Sequence, residues 1–131
     1  AADLLSRVGD PGMGMCVDLW HLYRSGGSPA DLDGLWSHVV SVQLDDGPLV
    51  PDLPDDLFTD CTHHRRLPGD GEFDLVTALA DAARHAPGYS LSVEVISDDL
   101  KALPVDEVAR RVADSVDRTL TAVEESLRAD Q

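Results

Sequence analysis

Met15-Cys16-Val17-Asp18-Leu19-Trp20-His21 is the stretch whose reading decides the fold. It is a short apolar run with Gly12 and Gly14 before it and the polar Arg24-Ser25-Gly26-Gly27 after it. That pattern predicts a strand covered on both faces, as in a parallel sheet, with Asp18 and His21 at its carboxyl end. A carboxylate and an imidazole three residues apart can share a metal, or divide the roles of ligand and substrate contact. The structural alternative is that Asp18 caps a turn and His21 packs on Trp20.

Outward from this stretch, two further segments end in the same way. Val39 to Leu44 is rich in β-branched residues and runs into Asp45-Asp46-Gly47. Tyr89 to Ile96 is the third predicted strand, with Glu94 in an otherwise apolar setting. A lone carboxylate there is costly unless it is paired or binds a cation. Between them lie helical patterns. Leu4, Leu5 and Val8 read as a helix tail over residues 1–8. Ser28 before Pro29 reads as a helix start with Leu32, Leu35 and Trp36 on its apolar face. Asp74 caps a helix of Leu75, Val76, Leu79, Ala82 and Ala83, released by Pro87-Gly88. After Pro104 the longest helix carries a stripe from Val105 through Val112 and Val116 to Leu127, read as core packing alone. Residues 48–71 show no period and read as a long irregular, functional loop holding His63-His64-Arg65-Arg66, the densest basic cluster.

Strand, helix, strand, helix, strand, helix is the grammar of a parallel sheet with right-handed crossovers. The expected fold class is α/β, a partial β/α barrel of about three units. At 131 residues the chain has about half the ~250 residues of an eightfold barrel, and three units cannot close one. Residues 1–131 are therefore expected to form only part of a barrel domain, as a fragment, a processed chain or one whose amino-terminal part lies elsewhere. Association with a missing amino-terminal half, or with further copies of the chain, would cover the open sheet edges.

A net charge of −15, from ten basic and twenty-five acidic residues, argues against nucleic acid or an anionic membrane as partner. No apolar run approaches the ~20 residues that span a bilayer. Cys16 and Cys61 do not make a disulfide framework, so both are expected as free thiols in a cytoplasmic protein, Cys16 as a small core residue.

In a barrel, the strand carboxyl ends build the site. Asp18, Gln43 and Glu94 would converge there as a hard, oxygen-rich set suited to Mg²⁺ or Mn²⁺ and tolerable to Co²⁺ or Zn²⁺. Such an ion would stabilise an enediolate formed by removal of a carbon-bound proton, with Glu94 as ligand or base. His21 and Arg65 would either support those ligands from behind or face the substrate. Against this stands a Glu94 paired with Arg65 or Arg66 and no metal, and a Gln43 that merely bonds a loop. His63 and His64 are adjacent, face different ways and are not expected to hold one ion together. His38 and His85 are expected on helix surfaces.

Val17-Asp18-Leu19-Trp20-His21, Val42-Gln43-Leu44-Asp45-Asp46, His64-Arg65-Arg66-Leu67-Pro68-Gly69-Asp70-Gly71 and Ser92-Val93-Glu94-Val95, in that order, resemble the carboxyl-terminal part of the sugar phosphate isomerase/epimerase superfamily, the xylose isomerase-like barrels. The resemblance implies that Asp18, Gln43 and Glu94 are three of four metal ligands on the sixth, seventh and eighth strands. It implies His21 and Arg65 as substrate contacts, with His21 and Glu94 as catalytic groups. The fourth ligand, a glutamate on the fifth strand, falls before this chain. The implied activity is a metal-dependent isomerisation or epimerisation of a sugar or sugar phosphate through a metal-bound enediolate, carried out only by a complete barrel. Gln43, where the epimerases have a histidine, fits the dehydratase branch acting on 3-dehydroshikimate or inosose. A non-catalytic, oligomerising remnant is the reading from a different class.

Overall fold

A computed structural model describes residues 2–86 and 88–130. Three strands, β1 (Met15–Asp18), β2 (Val39–Leu44) and β3 (Ser90–Val93), form one sheet in the order β1-β2-β3 with both pairs parallel. The helices are α1 (Ala2–Val8), α2 (Leu19–Arg24), α3 (Leu57–His63), α4 (Leu75–His85), α5 (Asp98–Lys101) and α6 (Val105–Ala129). The fold is α/β, a partial barrel of three parallel strands. Ala1 and Pro87, part of the helix-tail and helix-stop readings, lie outside the described residues.

The sheet has two unlike faces. Val17, Val42 and Leu44 are buried with Trp36, Leu75, Leu79 and Val123, so this face packs on the helices. The other face carries Cys16, Asp18, Gln43 and Ser92. Strand periodicity of two puts alternate residues on one side, which is why Ser41 and Gln43 part from Val42 and Leu44 along β2; at its start the register with β1 shifts, and there Val39 is buried and Val40 exposed. Cys16 falls on the polar face and is exposed, not the core residue expected.

Several elements differ from their sequence reading. The stretch from Met15 to His21 is not one strand. Asp18 ends it, because its carboxylate accepts the His21 N–H at 3.0 Å and caps α2. Ser28-Pro29 opens only a 3₁₀ turn, Pro29–Leu32, since Asp31 turns back to accept from the Ser28 N–H and hydroxyl. The 48–71 loop contains α3, capped by Asp56, which accepts from the Thr59 N–H and hydroxyl. β3 stops at Val93, leaving Glu94 to Ile96 just beyond it. The stripe of α6 is core only in its later part: Val123 is buried and Val116, Leu120 and Leu127 pack on the core, whereas Val105 is 84% exposed. Val108 and Val112 instead line an open apolar cavity of about 460 Å³ with Val93, Val95 and Ile96.

Candidate functional site

Register brings the site together. Asp18 stands opposite Gln43 in the β1–β2 ladder, and Gln43 stands opposite Ser92 in the β2–β3 ladder. Residues opposite each other share a face, and Glu94 is two residues past Ser92, so Asp18, Gln43 and Glu94 lie on one side at the carboxyl ends of the strands. The Asp18 and Glu94 carboxyls converge on one nitrogen, Arg65 Nη1, at 3.1 and 3.5 Å. A cavity of about 640 Å³ opens beside Asp18, His21 and Gln43 at the free edge of β1. His21 lies at its mouth, 66% exposed, with Nε2 3.8 Å from Asp18 Oδ2.

Arg65 sits at the centre of the acidic groups and is itself buried. Its backbone is fixed first. Asp46 and Arg66 exchange backbone hydrogen bonds of 3.1 and 2.8 Å, and the Arg65 N–H donates to the Ile96 carbonyl at 3.2 Å. The 64–66 segment is thereby stitched between the ends of β2 and β3. The guanidinium then spreads inward. Nη1 donates to Asp45 Oδ2 at 2.5 Å, Asp18 Oδ2 at 3.1 Å, the Glu94 carbonyl at 3.2 Å and Glu94 Oε2 at 3.5 Å. Nε donates to the Cys61 carbonyl and Nη2 to Cys61 Sγ, both at 3.1 Å.

The electrostatics follow from this crowding. Burial pushes Asp18 up, but the His21 N–H and the Arg65 charge pull harder and hold it below the usual carboxylate range. Glu94 is raised, by burial first and then by its hydrogen bond with Asp18. Asp45 is pushed up to about 8 by burial and the Asp18 charge, against the opposing pull of Arg65. Burial works against the Arg65 charge, but its bonds to Cys61 and the charges of Asp45 and Asp18 raise its affinity for the proton.

The expected site residues are therefore in one place. Asp18, Glu94 and Arg65 touch, Gln43 adjoins by register, and His21 is at the rim. Arg66 is elsewhere, 3.3 Å from Asp52, and His63 pairs with Asp98 at 2.8 Å. His38 and His85 are on the surface. Sequence reasoning gave Asp45 no role beyond following the second strand, and it missed the buried Arg24–Asp60 pair at 3.1 Å. Arg24 lies over the Trp20 ring, 4.1 Å from its centroid, and its bond to Asp60 holds the end of α2 against α3, where Cys61 receives Arg65. A buried Asp-Asp pair after a strand is the signal that could have been weighed.

Among the described residues no three or more His, Cys, Asp and Glu side chains are grouped to hold a metal ion. Two carboxyls that share one guanidinium nitrogen, and an amide beside them by register, nevertheless have the donor chemistry a hard dication takes. They are three donors, and further ligands would come from substrate, water or other protein groups.

No protein-family model matches the chain. It is 36% identical to the 3-dehydroshikimate dehydratase of Pseudomonas aeruginosa and 31% identical to that of Pseudomonas putida, over 98% and 96% of its length. It spans about a fifth of either relative, 19% in each case. Among solved structures it superposes with a TM-score of 0.75 on a xylose isomerase-like TIM barrel/4-hydroxyphenylpyruvate dioxygenase fusion protein, at 26% identity, covering 98% of this chain and 20% of that one. It superposes at 0.65 on a xylose isomerase domain protein from Alicyclobacillus acidocaldarius, at 28% identity, covering 94% of this chain and 42% of that one. A TM-score of 0.72 at 21% identity relates its fold to the IOLI protein, solved with a zinc atom, over 94% of this chain and 42% of the other. The chain resembles xylose isomerase-like TIM barrels along nearly its whole length and matches a carboxyl-terminal portion of them.

Proposed function

We propose that these residues are the carboxyl-terminal share of a metal-dependent site that removes a proton beside a carbonyl, in an isomerase or epimerase of sugars, sugar phosphates or related hydroxy-carbonyl compounds. The observation that carries this reading is the meeting of Asp18 and Glu94, with Gln43 beside them, at one end of a parallel sheet. Asp18, Gln43 and Glu94 would hold Mg²⁺ or Mn²⁺, with Co²⁺ or Zn²⁺ as lesser fits. When bound, the cation supplies Lewis-acid stabilisation of negative charge on the substrate's carbonyl and hydroxyl oxygens.

The remaining work falls to the chain's own groups. Glu94 would take the carbon-bound proton, being the less tightly held of the two carboxylates, 3.5 Å from Arg65 Nη1 against 3.1 Å for Asp18. Asp18, held ionised by the His21 amide and Arg65, keeps its charge while Glu94 gains a proton. His21, exposed at the mouth of the cavity, is placed to orient a substrate hydroxyl. Arg65, its side chain only 2% exposed, anchors the acids from behind through Nη1 while Nε and Nη2 hold to Cys61.

A dehydratase using the same groups, but expelling a hydroxyl, is favoured by Gln43 and by the identity to two 3-dehydroshikimate dehydratases. The open apolar cavity beside β3 and α6 supports seating of further strand-and-helix units there, so that a complete barrel forms the working unit.

The test is a Mn²⁺ titration by calorimetry together with turnover of both substrate classes by the wild type and Glu94→Gln. Uptake of Mn²⁺ and loss of at least about a hundredfold in rate with Glu94→Gln are expected. No Mn²⁺ uptake, or undiminished turnover without Glu94, removes the proposal. A conjugated or aromatic product absorbing in the ultraviolet assigns the dehydratase; turnover without one assigns the isomerase.

A further inference from the structure

Arg65 makes more contacts than it has hydrogens for. Nη1 carries two N–H groups yet faces four oxygens: Asp45 Oδ2, Asp18 Oδ2, the Glu94 carbonyl and Glu94 Oε2. Only two can be well bonded at a time. They divide into two kinds: Asp45 and the Glu94 carbonyl are parts of the buried frame, whereas the Asp18 and Glu94 carboxylates are two of the three groups assigned above to the metal. Nε and Nη2 are tied to Cys61 in either case.

We propose that Arg65 is a built-in stand-in cation, which holds Asp18 and Glu94 together when no dication is bound and yields both carboxylates to the metal while keeping its place on Asp45, the Glu94 carbonyl and Cys61. The proposal rests on the metal reading of the same site. It explains why the guanidinium is over-subscribed, since removing the two carboxylates leaves Nη1 with two acceptors for two hydrogens. It also gives the site a regulatory property. Two carboxyls in contact repel when both are ionised, and a permanent positive charge beside them preserves the geometry without metal, at a cost in metal affinity.

The proposal separates charge from shape, and so does its test. Mn²⁺ affinity is measured by calorimetry for the wild type, Arg65→Met, Arg65→Gln and Arg65→Lys, alongside thermal unfolding in EDTA and in saturating Mn²⁺. Removing the competing charge in Arg65→Met and Arg65→Gln is expected to tighten Mn²⁺ binding about tenfold or more, whereas Arg65→Lys, which keeps the charge, stays within about threefold of wild type. The two neutral variants lose thermal stability in EDTA and recover more of it in Mn²⁺ than the wild type gains. Should Arg65→Met fail to fold in EDTA, folding on addition of Mn²⁺ counts for the proposal, and failure in both conditions passes the decision to Arg65→Gln. If the wild type binds Mn²⁺ and both neutral variants bind it no tighter, the stand-in role is overturned and the metal site stands. If neither the wild type nor the neutral variants bind Mn²⁺, the metal reading falls and the stand-in role falls with it.

Discussion

Asp45 and Asp46 are consecutive and both fully buried, yet they sit in two regions built on opposite terms. The Asp46 carboxylate accepts four backbone N–H groups, from Gly47, Gly69, Gly71 and Phe73, at 2.8 to 3.1 Å. It is a turn-maker that folds residues 69–73 under the end of β2. Close approach is part of the device, because a Cβ on Gly71 would lie 2.2 Å from Asp46 Oδ1 and 2.5 Å from the Gly47 nitrogen. Asp45 shares one guanidinium with two other acids, and its buried Oδ1 has no hydrogen-bond partner among the described residues. Where backbone amides satisfy a buried acid, the acid serves the fold. Where acids outnumber the donors around them, the surplus charge is available for a cation or a proton.

The largest effect that sharpens this contrast is on Asp46. Asp46→Ala strands four amide donors, those of Gly47 and Phe73 buried and those of Gly69 and Gly71 partly so, and is expected to lower the unfolding free energy by about 2–4 kcal/mol, measured by urea denaturation. A loss below about 1 kcal/mol would mean that water satisfies those amides and that the two regions are not opposites.

Next in size is a pH effect at Asp45. Its folded pKa, about 8, lies above the ordinary carboxylate value of 3.8, so the folded protein keeps a proton that the unfolded chain releases. The stability linked to this group is therefore present below about pH 4 and lost as pH rises through 8, amounting to about 2–4 kcal/mol. Asp18 runs the other way. Its lowered pKa makes its contribution present above the ordinary value and lost on further acidification. Asp45→Asn should flatten the decline between pH 5 and 8 in denaturation curves. Equal slopes for variant and wild type would show that Asp45 is ionised throughout and that Arg65 outweighs its burial.

These two regions were not equally legible in the sequence. The polar positions on β1 and β2 and the acid after β3 fall at strand ends because alternation and β-branched runs mark strands locally, and that was enough to bring Asp18, Gln43 and Glu94 to one rim. What stayed hidden depends on partners far along the chain. The α3 helix, Leu57–His63, shows no apolar period because it is short and is held by the Asp56 cap and the buried pair of Asp60 with Arg24, a residue 36 positions away. Asp45-Asp46-Gly47 looks like a surface turn in one dimension. It is buried only because the 69–73 loop closes over one acid and Arg65 reaches the other. The early α6 positions Val105, Val108 and Val112 show the reverse, a stripe read as core in which Val105 is exposed and Val108 and Val112 are only half-buried, along an open cavity.

The smallest effect tests the one residue that belongs to both regimes. Asp18 caps α2 as a structural acid would, accepting the His21 N–H at 3.0 Å, and its other oxygen meets Arg65 at 3.1 Å. Asparagine caps a helix as well as aspartate does, so Asp18→Asn keeps the first role and removes the charge from the second. Its stability should fall by less than about 1 kcal/mol, because Arg65 retains Asp45 and the Glu94 carbonyl, while Mn²⁺ affinity drops about tenfold or more. Asp18→Ala should add the loss of the cap, about 1 kcal/mol more, with no greater loss of Mn²⁺ affinity than a further lost ligand oxygen explains. Calorimetry and urea denaturation on the same two variants check both halves. If Asp18→Asn kept wild-type Mn²⁺ affinity, the cap alone would account for Asp18, and the acidic cluster would join Asp46 as a feature of the fold.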